Sequence, residues 1–373
     1  MPRSRILSTV AIAMLAGAAG AAAALPVPAA GDVTRDRVGT HLLALEKAAS
    51  DGRRAAAHAL GRTKDARAVG ALIAAMNDEA PEVRGVAVLA LSRQGARAVE
   101  QLAAALHDPE ESIRRGACES LGLIGHPQTL EALEHALADR SPDVRSMAAW
   151  AVGRLRNPRG AEVLITALRD DAAAVRREAA YALGQLEDSS AVPALTEALV
   201  DADINVRLSA ATALGSLRHP DAVPALAARL ADYDITVQCE AARALGKVGG
   251  TDALSKLVPL LTNPNPRLRA VGAQSLGQTR DAQAILPLVH RLMDAEYAVR
   301  AACVDGLVVI GTAAAEPLIQ SLQGKDLNAR IAAVEALIQL RDERAIPALR
   351  TLLSDTEARI RAEAFAALQA LEH

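Results

Sequence analysis

The amino-acid sequence predicts an all-α solenoid of about eleven stacked helical hairpins, and two regularities carry this prediction. A cassette of 30 or 31 residues recurs eleven times, and it opens on a position, which we call the anchor, that is arginine in ten copies. The anchors are Arg53, Arg84, Arg114, Arg145, Arg176, Arg207, Gln238, Arg269, Arg300, Arg330 and Arg361. A leucine or valine follows each anchor after seven residues. A unit this short cannot bury its apolar face alone, so the period indicates units that stack on their neighbours.

The first helix of each copy, helix A, is predicted from a pair of apolar residues four positions apart. In the sixth copy these are Leu195 and Leu199, which fall on one stripe of a helix. Pro193 lies in the first turn, where its missing N–H removes no helical hydrogen bond. The second helix, helix B, is predicted to begin near the anchor. Positions −1, +3, +4 and +7, counted from the anchor, are apolar and share one arc of a helix.

Two further positions of the cassette indicate how the helices meet. Glycine stands at position +8 in seven copies. Because glycine costs about 1 kcal/mol inside a helix, its recurrence indicates either close packing or the helix end. Aspartate stands six residues before the anchor in most copies, as Asp201 does before Arg207. We expect each such aspartate, at the end of helix A, to pair with the arginine that begins the next helix, so that stacked copies form a ladder.

Composition indicates what the core is made of and which partners and crosslinks are not expected. Hydrophobic residues make up 51% of the chain but aromatic residues only 1%, so the core must consist of alanine, leucine and valine. A net charge of −3 gives no reason to expect nucleic acid as the partner. Cys118, Cys239 and Cys303 lie in separate, non-adjacent copies and are predicted to be too far apart for disulfides.

Residues 1–30 are predicted to be a signal peptide with a short linker, and residues 31–373 the solenoid. Arg3 and Arg5 precede an apolar, alanine-rich run over residues 6–24, and small residues suited to cleavage follow. This pattern predicts a periplasmic or otherwise exported protein. Two alternatives stay open: an uncleaved anchor at residues 6–24, which would attach the chain to a membrane, and a start codon placed too early.

The proline, aspartate and arginine of the cassette, as in Pro193, Asp201 and Arg207, resemble the HEAT repeat. The short period and the phrase Arg-…-Ala-Ala-x-Ala-Leu-Gly resemble the phycobilin-lyase-type HEAT-like repeats. The resemblance covers residues 42–371 and implies a right-handed α-α superhelix of HEAT-like hairpins. The copies depart from it at Gln238, which replaces the arginine, and at Gly324, which replaces the aspartate. Such repeats serve as scaffolds, as adaptors and in a few enzymes, so the resemblance implies protein binding first.

The sequence lacks the residue patterns that several enzymatic functions need. A deoxyhypusine-hydroxylase-like di-iron site would need repeated His-Glu dipeptides, and none of the eight histidines precedes a glutamate. The chain also has no phosphate-binding glycine loop, HExxH motif or nucleophile elbow. We therefore predict a scaffold without catalysis, cofactor or metal. A HEAT-like enzyme or lyase subunit that acts on a cofactor or a modified side chain is the alternative.

Candidate binding residues lie on the helix B face formed by positions +1, +2, +5 and +9, opposite the leucine at +7. This face is predicted to line the concave side of the solenoid and to bind a protein partner. Trp150 and Tyr181, at +5 of neighbouring copies, are the predicted anchors of that interface. The alternative is that the two rings stack on each other and fill a gap between copies.

Charged residues of the same face complete the predicted site: Arg115, Arg154, Arg177, Glu178 and Arg243. On this face the arginines outnumber the acids in copies one to five, whereas the acids prevail in copies six to eleven. We therefore expect the N-terminal half of the face to take an acidic segment of a partner beside Trp150 and Tyr181. A solvated helix surface without a partner would explain the same charges.

Overall fold

The computed structural model describes residues 36–371, which form helices joined by short turns. The α-helices are α1 (Arg37–Lys47), α2 (Ser50–Leu60), α3 (Arg67–Ala75), α4 (Pro81–Gln94), α5 (Ala96–Ala105), α6 (Glu111–Ile124), α7 (Leu130–Ala136), α8 (Pro142–Leu155), α9 (Gly160–Ala167), α10 (Ala173–Leu186), α11 (Val192–Ala198), α12 (Ile204–Leu217), α13 (Val223–Arg229), α14 (Ile235–Val248), α15 (Gly250–Leu257), α16 (Pro266–Thr279), α17 (Ile285–Arg291), α18 (Tyr297–Ile310), α19 (Ala315–Ser321), α20 (Leu327–Leu340), α21 (Ile346–Leu352) and α22 (Ala358–Leu371). Odd-numbered helices are helix A and even-numbered helices are helix B of eleven consecutive hairpins. The predicted all-α solenoid is therefore confirmed over this range.

Helix B spans 14 residues in copies two to eleven, and in five of these copies a side chain caps its amino end. In α12 the carboxylate of Asp203 accepts hydrogen bonds from the backbone N–H groups of Asn205, at 2.8 Å, and Val206, at 3.2 Å. These bonds satisfy donors that have no partner inside the helix. At the other end Arg218 adopts the left-handed conformation, with φ of 51°, which stops the helix.

The core lies between the two helices of each hairpin and between successive hairpins. The leucine at position +7 of helix B is fully buried in the central copies, as at Leu183 and Leu214. The helix A leucine Leu195 is also fully buried. The apolar arcs predicted for both helices therefore form the core.

The glycine at position +8 marks a close approach between successive B helices. A Cβ atom added to Gly184 in α10 would lie 2.9 Å from both the Cα and the Cβ atoms of Ala213 in α12. The helix runs on to Leu186, so this glycine does not end it. Ser92 and Val308 replace the glycine in the second and ninth copies. There α4 with α6 and α18 with α20 pack over less of their length than the central B helices do.

Arginine–aspartate pairs form a ladder, but its rungs join neighbouring copies. Arg145 donates from Nε to Oδ2 of Asp170 at 2.6 Å and from Nη2 to Oδ1 at 2.8 Å. Its Nη1 donates to the backbone carbonyl of Asp139, the aspartate of its own copy, at 2.8 Å. The predicted carboxylate pairing within one copy is therefore wrong, because the arginine reaches back to a carbonyl and forward to the next carboxylate. The guanidinium hydrogen bonds hold the pKa of Asp170 below its usual value.

Seven such rungs occur among the described residues, each between side chains 25 positions apart. They are Arg53–Asp78, Arg114–Asp139, Arg145–Asp170, Arg176–Asp201, Arg207–Asp232, Arg269–Asp294 and Arg330–Asp355. The rung is missing after Arg84, whose next aspartate, Asp108, follows after 24 residues, and after Arg300, where Gly324 replaces the aspartate. It is also missing at Gln238, whose side-chain amide still donates to the Asp232 carbonyl. We predict that the missing rung at Gln238 leaves a softer joint between copies seven and eight.

The remaining fold predictions concern the cysteines and the N-terminus. Cys118, Cys239 and Cys303 are buried free thiols, and burial raises the pKa of Cys118 to about 12. The predicted signal peptide and linker, residues 1–30, lie outside the described residues. Among residues 36–371 no single helix is long and apolar enough for a membrane span. One pair, Tyr297–Ile310 with Thr312–Ser321, meets that test together but is bent by 116°.

Candidate partner-binding groove

Two adjacent clefts follow the predicted helix B face from α4 to α10. The first, which we name the Trp150 cleft, has a volume of about 450 Å³ and is lined by Arg115, Glu119, Asp143, Ser146, Met147, Trp150, Ala174, Arg177 and Glu178. The second, the Glu110 cleft, has a volume of about 410 Å³, and its lining includes Asp78, Arg84, Glu110 and Glu111. Because Arg115, Glu119 and Asp143 line both clefts, the two form one continuous groove.

Trp150 lies between two copies because α6 leaves room for its indole. A Cβ atom on Gly122 of α6 would come within 2.8 Å of the indole Cζ3 atom. The half-buried ring packs against the core on this side. The guanidinium carbon of Arg154, one turn further along α8, lies 5.6 Å from the ring centroid. The indole is thus fixed in place while part of it faces the cleft.

Four of the seven predicted site residues line the Trp150 cleft, namely Arg115, Trp150, Arg177 and Glu178. Arg154 lies over the indole, outside the lining. Tyr181 is 46% exposed and lies on α10, also outside the lining. It makes no ring contact with Trp150 in the described part of the chain. Arg243 lies on α14, three copies beyond Trp150, so the structure does not bring it into the groove. Its Nη1 atom is 3.3 Å from Glu240 Oε2.

Glu119 and Glu178 are the two half-buried carboxylates of the Trp150 cleft, and neither has a close cation. The Glu178 side chain is only 18% exposed, and its nearest cation, Arg177, is 4.0 Å away. The Glu119 side chain is 34% exposed and lies 3.7 Å from Arg115. Neither carboxylate accepts a hydrogen bond from another group within residues 36–371. Burial raises the pKa of both carboxyl groups above the usual range, because desolvation disfavours the charged form.

Carboxylates outnumber arginines along the groove as a whole. Its lining holds Arg84, Arg115 and Arg177 against Asp78, Glu110, Glu111, Glu119, Asp143 and Glu178. Only Asp78 is neutralised by a short ion pair, at 2.7 Å to Arg53.

Sequence reasoning missed three of these acids. Glu110, Glu111 and Asp143 precede the anchor of their copies and so fall outside the positions counted for the helix face. They lie at the amino ends of α6 and α8. Acids just before the anchor are visible in the sequence. Their place in the groove depends on how the copies stack, which the sequence pattern alone does not provide.

The chemistry that the groove offers is ion pairing and contact with an aromatic ring. Within residues 36–371, no group of three or more histidine, cysteine, aspartate or glutamate side chains is placed to hold a metal ion.

Comparison with known proteins places the repeats in a described family. A sequence model of HEAT repeats matches residues 40–116, 99–181, 161–235, 227–308 and 285–369, which together span nearly all of the described chain. A comparison with curated protein sequences gave no significant match.

Solved structures resemble the fold at low sequence identity. Importin beta, crystallised in an ammonium sulfate condition, matches with a TM-score of 0.57 and 16% identity, over 89% of this chain and 57% of that chain. Kap121p matches with a TM-score of 0.53 and 12% identity, over 90% of this chain and 45% of that chain. An engineered protein is 22% identical over 90% of this chain and 99% of its own length, with a TM-score of 0.41. The chain thus spans about half the length of the first two proteins, and the likeness is one of fold.

Proposed function

Because the chain belongs to the HEAT-repeat family, we propose that it is a protein-binding scaffold that holds a segment of a partner protein along the groove of α4 to α10. One observation carries this proposal: the chain's only tryptophan, Trp150, lines a cleft of about 450 Å³ on a face that no other part of the described chain covers. Tryptophan is enriched among the residues that dominate the energetics of protein interfaces. A repeat array presents such a face over many copies, which suits an extended partner.

The cleft has the size and chemistry of a side-chain pocket. Its volume lies at the lower end of the range for ligand sites, and its floor combines Trp150 and Met147 with ion-pairing groups. Tyr181, exposed one copy further along, offers a second aromatic contact to a segment that continues past the cleft. Together these residues support the groove as the place where a partner binds.

Crosslinking in the native host tests the scaffold proposal. The intact chain, a Trp150→Ala/Tyr181→Ala variant and a control variant are compared, and each captured protein is then purified and its Kd measured. The control, Leu286→Ala/Tyr297→Ala, removes two exposed apolar side chains outside the groove. We expect the Trp150/Tyr181 variant to weaken binding by roughly tenfold or more and the control to leave it unchanged. Equal Kd values for all three chains would refute binding in the groove.

We further propose that the chain is exported and acts outside the cytoplasm. Arg3, Arg5 and the apolar run at residues 6–24 support this proposal, since they have the composition of a secretory signal. N-terminal sequencing of the chain from its host, after separation of the cell compartments, tests it. A mature chain that begins after residue 20 and fractionates outside the cytoplasm is expected, and a cytoplasmic chain that begins at Met1 would contradict export.

We also propose that the scaffold acts without catalysis or a cofactor of its own. Elemental analysis and the absorption spectrum of the chain purified from its host provide the test. A stoichiometric metal ion or a bound chromophore would favour the enzyme or lyase alternative instead.

A further inference from the structure

We propose that the Trp150 cleft receives an arginine side chain from a basic segment of the partner protein, held between Glu119 and Glu178 and against the indole of Trp150. This inference rests on the proposed function and deepens it, because it specifies the chemistry of the segment that the groove binds. It also reverses the sign of the partner charge that the sequence alone suggests.

The two glutamates are the first argument, since the free chain leaves their charge poorly compensated. Both lie in the middle of a helix, Glu119 in α6 and Glu178 in α10, so neither helix amino end stabilises them. Their nearest cations are 3.7 Å and 4.0 Å away, and no hydrogen bond reaches either carboxylate within the described residues. Both glutamates line the same cleft, so a cation that enters it meets carboxylates that lack a close partner.

Charge along the whole groove is the second argument. Six carboxylates and three arginines line the two clefts, and of the six only Asp78 has a short ion pair. Glu110, Glu111 and Asp143 extend the negative surface from the Trp150 cleft towards α4. Complementary potentials favour a partner segment of positive charge here, and like charges disfavour an acidic one.

The indole of Trp150 is the third argument, because it distinguishes arginine from other cations. A guanidinium group is planar, stacks on aromatic rings and donates in a fork to carboxylates. Arg154 already places its guanidinium carbon 5.6 Å from the ring centroid, so this ring interacts with a guanidinium in the free chain. The cleft offers an incoming arginine the same ring together with two carboxylates.

Trp150 fluorescence provides the experiment, since the chain has one tryptophan and it lines this cleft. The full chain is titrated with a capped tetra-arginine peptide and, separately, with a capped tetraglutamate peptide. We expect a saturable change in emission with the arginine peptide only, and a Kd that rises with salt, because part of the attraction is exposed to solvent.

Matched variants separate the cleft from the net charge of the chain. Glu119→Gln/Glu178→Gln keeps the side-chain size and is expected to raise the Kd for tetra-arginine by about tenfold or more. Glu131→Gln/Glu162→Gln also removes two negative charges, but from the exposed surfaces of α7 and α9, and it is expected to leave the Kd for tetra-arginine unchanged. Circular dichroism of both variants verifies that they are folded.

Three results would overturn the inference: no saturable change with tetra-arginine, an equal effect of the two double variants, or tighter binding of tetraglutamate. The last result would instead support the acidic segment that the arginines of the helix face suggest. The scaffold proposal is tested separately, by whether a captured partner depends on Trp150 and Tyr181. It survives a failure of the arginine experiment, and it fails only if that dependence is absent.

Discussion

Glycine at position +8 sets the spacing of the B helices, and Gly184→Ala tests this role. The added Cβ atom would lie 2.9 Å from the Cα and Cβ atoms of Ala213, whereas ordinary contacts begin at 3.4 Å. Helices α10 and α12 must therefore separate by at least about 0.5 Å, the difference between those distances. Overpacking of this kind costs about 1–3 kcal/mol, and alanine returns about 1 kcal/mol of helix propensity. We expect a net loss of up to about 2 kcal/mol in the free energy of unfolding.

Gly85→Ala is the matched control, because the same substitution there meets open space. A Cβ atom on Gly85 of α4 has no neighbour within 4 Å. Helix propensity should therefore stabilise this variant by about 0.5–1 kcal/mol. Urea denaturation followed by circular dichroism measures both variants, and hydrogen exchange shows whether the loss is confined to α10 and α12. If Gly184→Ala proved as stable as Gly85→Ala, close approach would not be the reason for this glycine.

Three further predictions address the ladder and the cleft. Arg176→Lys loses the fork to the next copy's carboxylate and should lower the free energy of unfolding by about 1–2 kcal/mol. Arg84→Lys, at an anchor that forms no rung, should change the free energy of unfolding little in the same urea titration. Gln238→Arg combined with Asn263→Asp supplies the rung missing between copies seven and eight, and should slow hydrogen exchange there; unchanged exchange would mean that the rung adds no local stability. Burial raises the pKa of Glu178, so its charge destabilises the folded state above that pKa and ceases to do so as the pH falls below it. Glu178→Gln should therefore be more stable than the parent at pH 7, with a difference that shrinks on acidification, and a parent that is the more stable at pH 7 would contradict the burial of an uncompensated charge.

The repeat could be predicted from the sequence because the core positions must bury an apolar side chain in every copy. Leu183 and Leu214 occupy the same place in successive hairpins, and both side chains are fully buried in the core. The glycine at +8 was also visible, although its two explanations could be separated only by the 2.9 Å approach between Gly184 and Ala213. Residues that recur in every copy therefore identify the positions that pack against neighbouring copies.

Relations between copies were harder to predict. The spacing of Asp139 and Arg145 in the sequence suggests a pair within one copy, but the arginine meets the carboxylate of Asp170 instead. Sequence distance favoured the nearer aspartate, whereas the direction of the side chain in the first turn of helix B favours the next copy. The same limitation hid Glu110 and Asp143, whose places in the groove are set by the stacking of α4, α6 and α8.

The positions that break the repeat differ in what they do to the fold, and this difference separates structure from function. Gln238 removes a rung but keeps a bond to its own copy's carbonyl, so it changes a structural contact and leaves no charge uncompensated. Glu119 and Glu178 do the opposite, since they add half-buried charges that no described hydrogen bond stabilises. The ladder and the glycines hold the copies in register, and Glu119 and Glu178 on the exposed face of helix B take no part in these contacts. That face is free to carry residues that reduce stability, and selection retains such residues where binding a partner compensates them. Trp150 stands between these two glutamates, which is why we expect the partner to bind at this cleft.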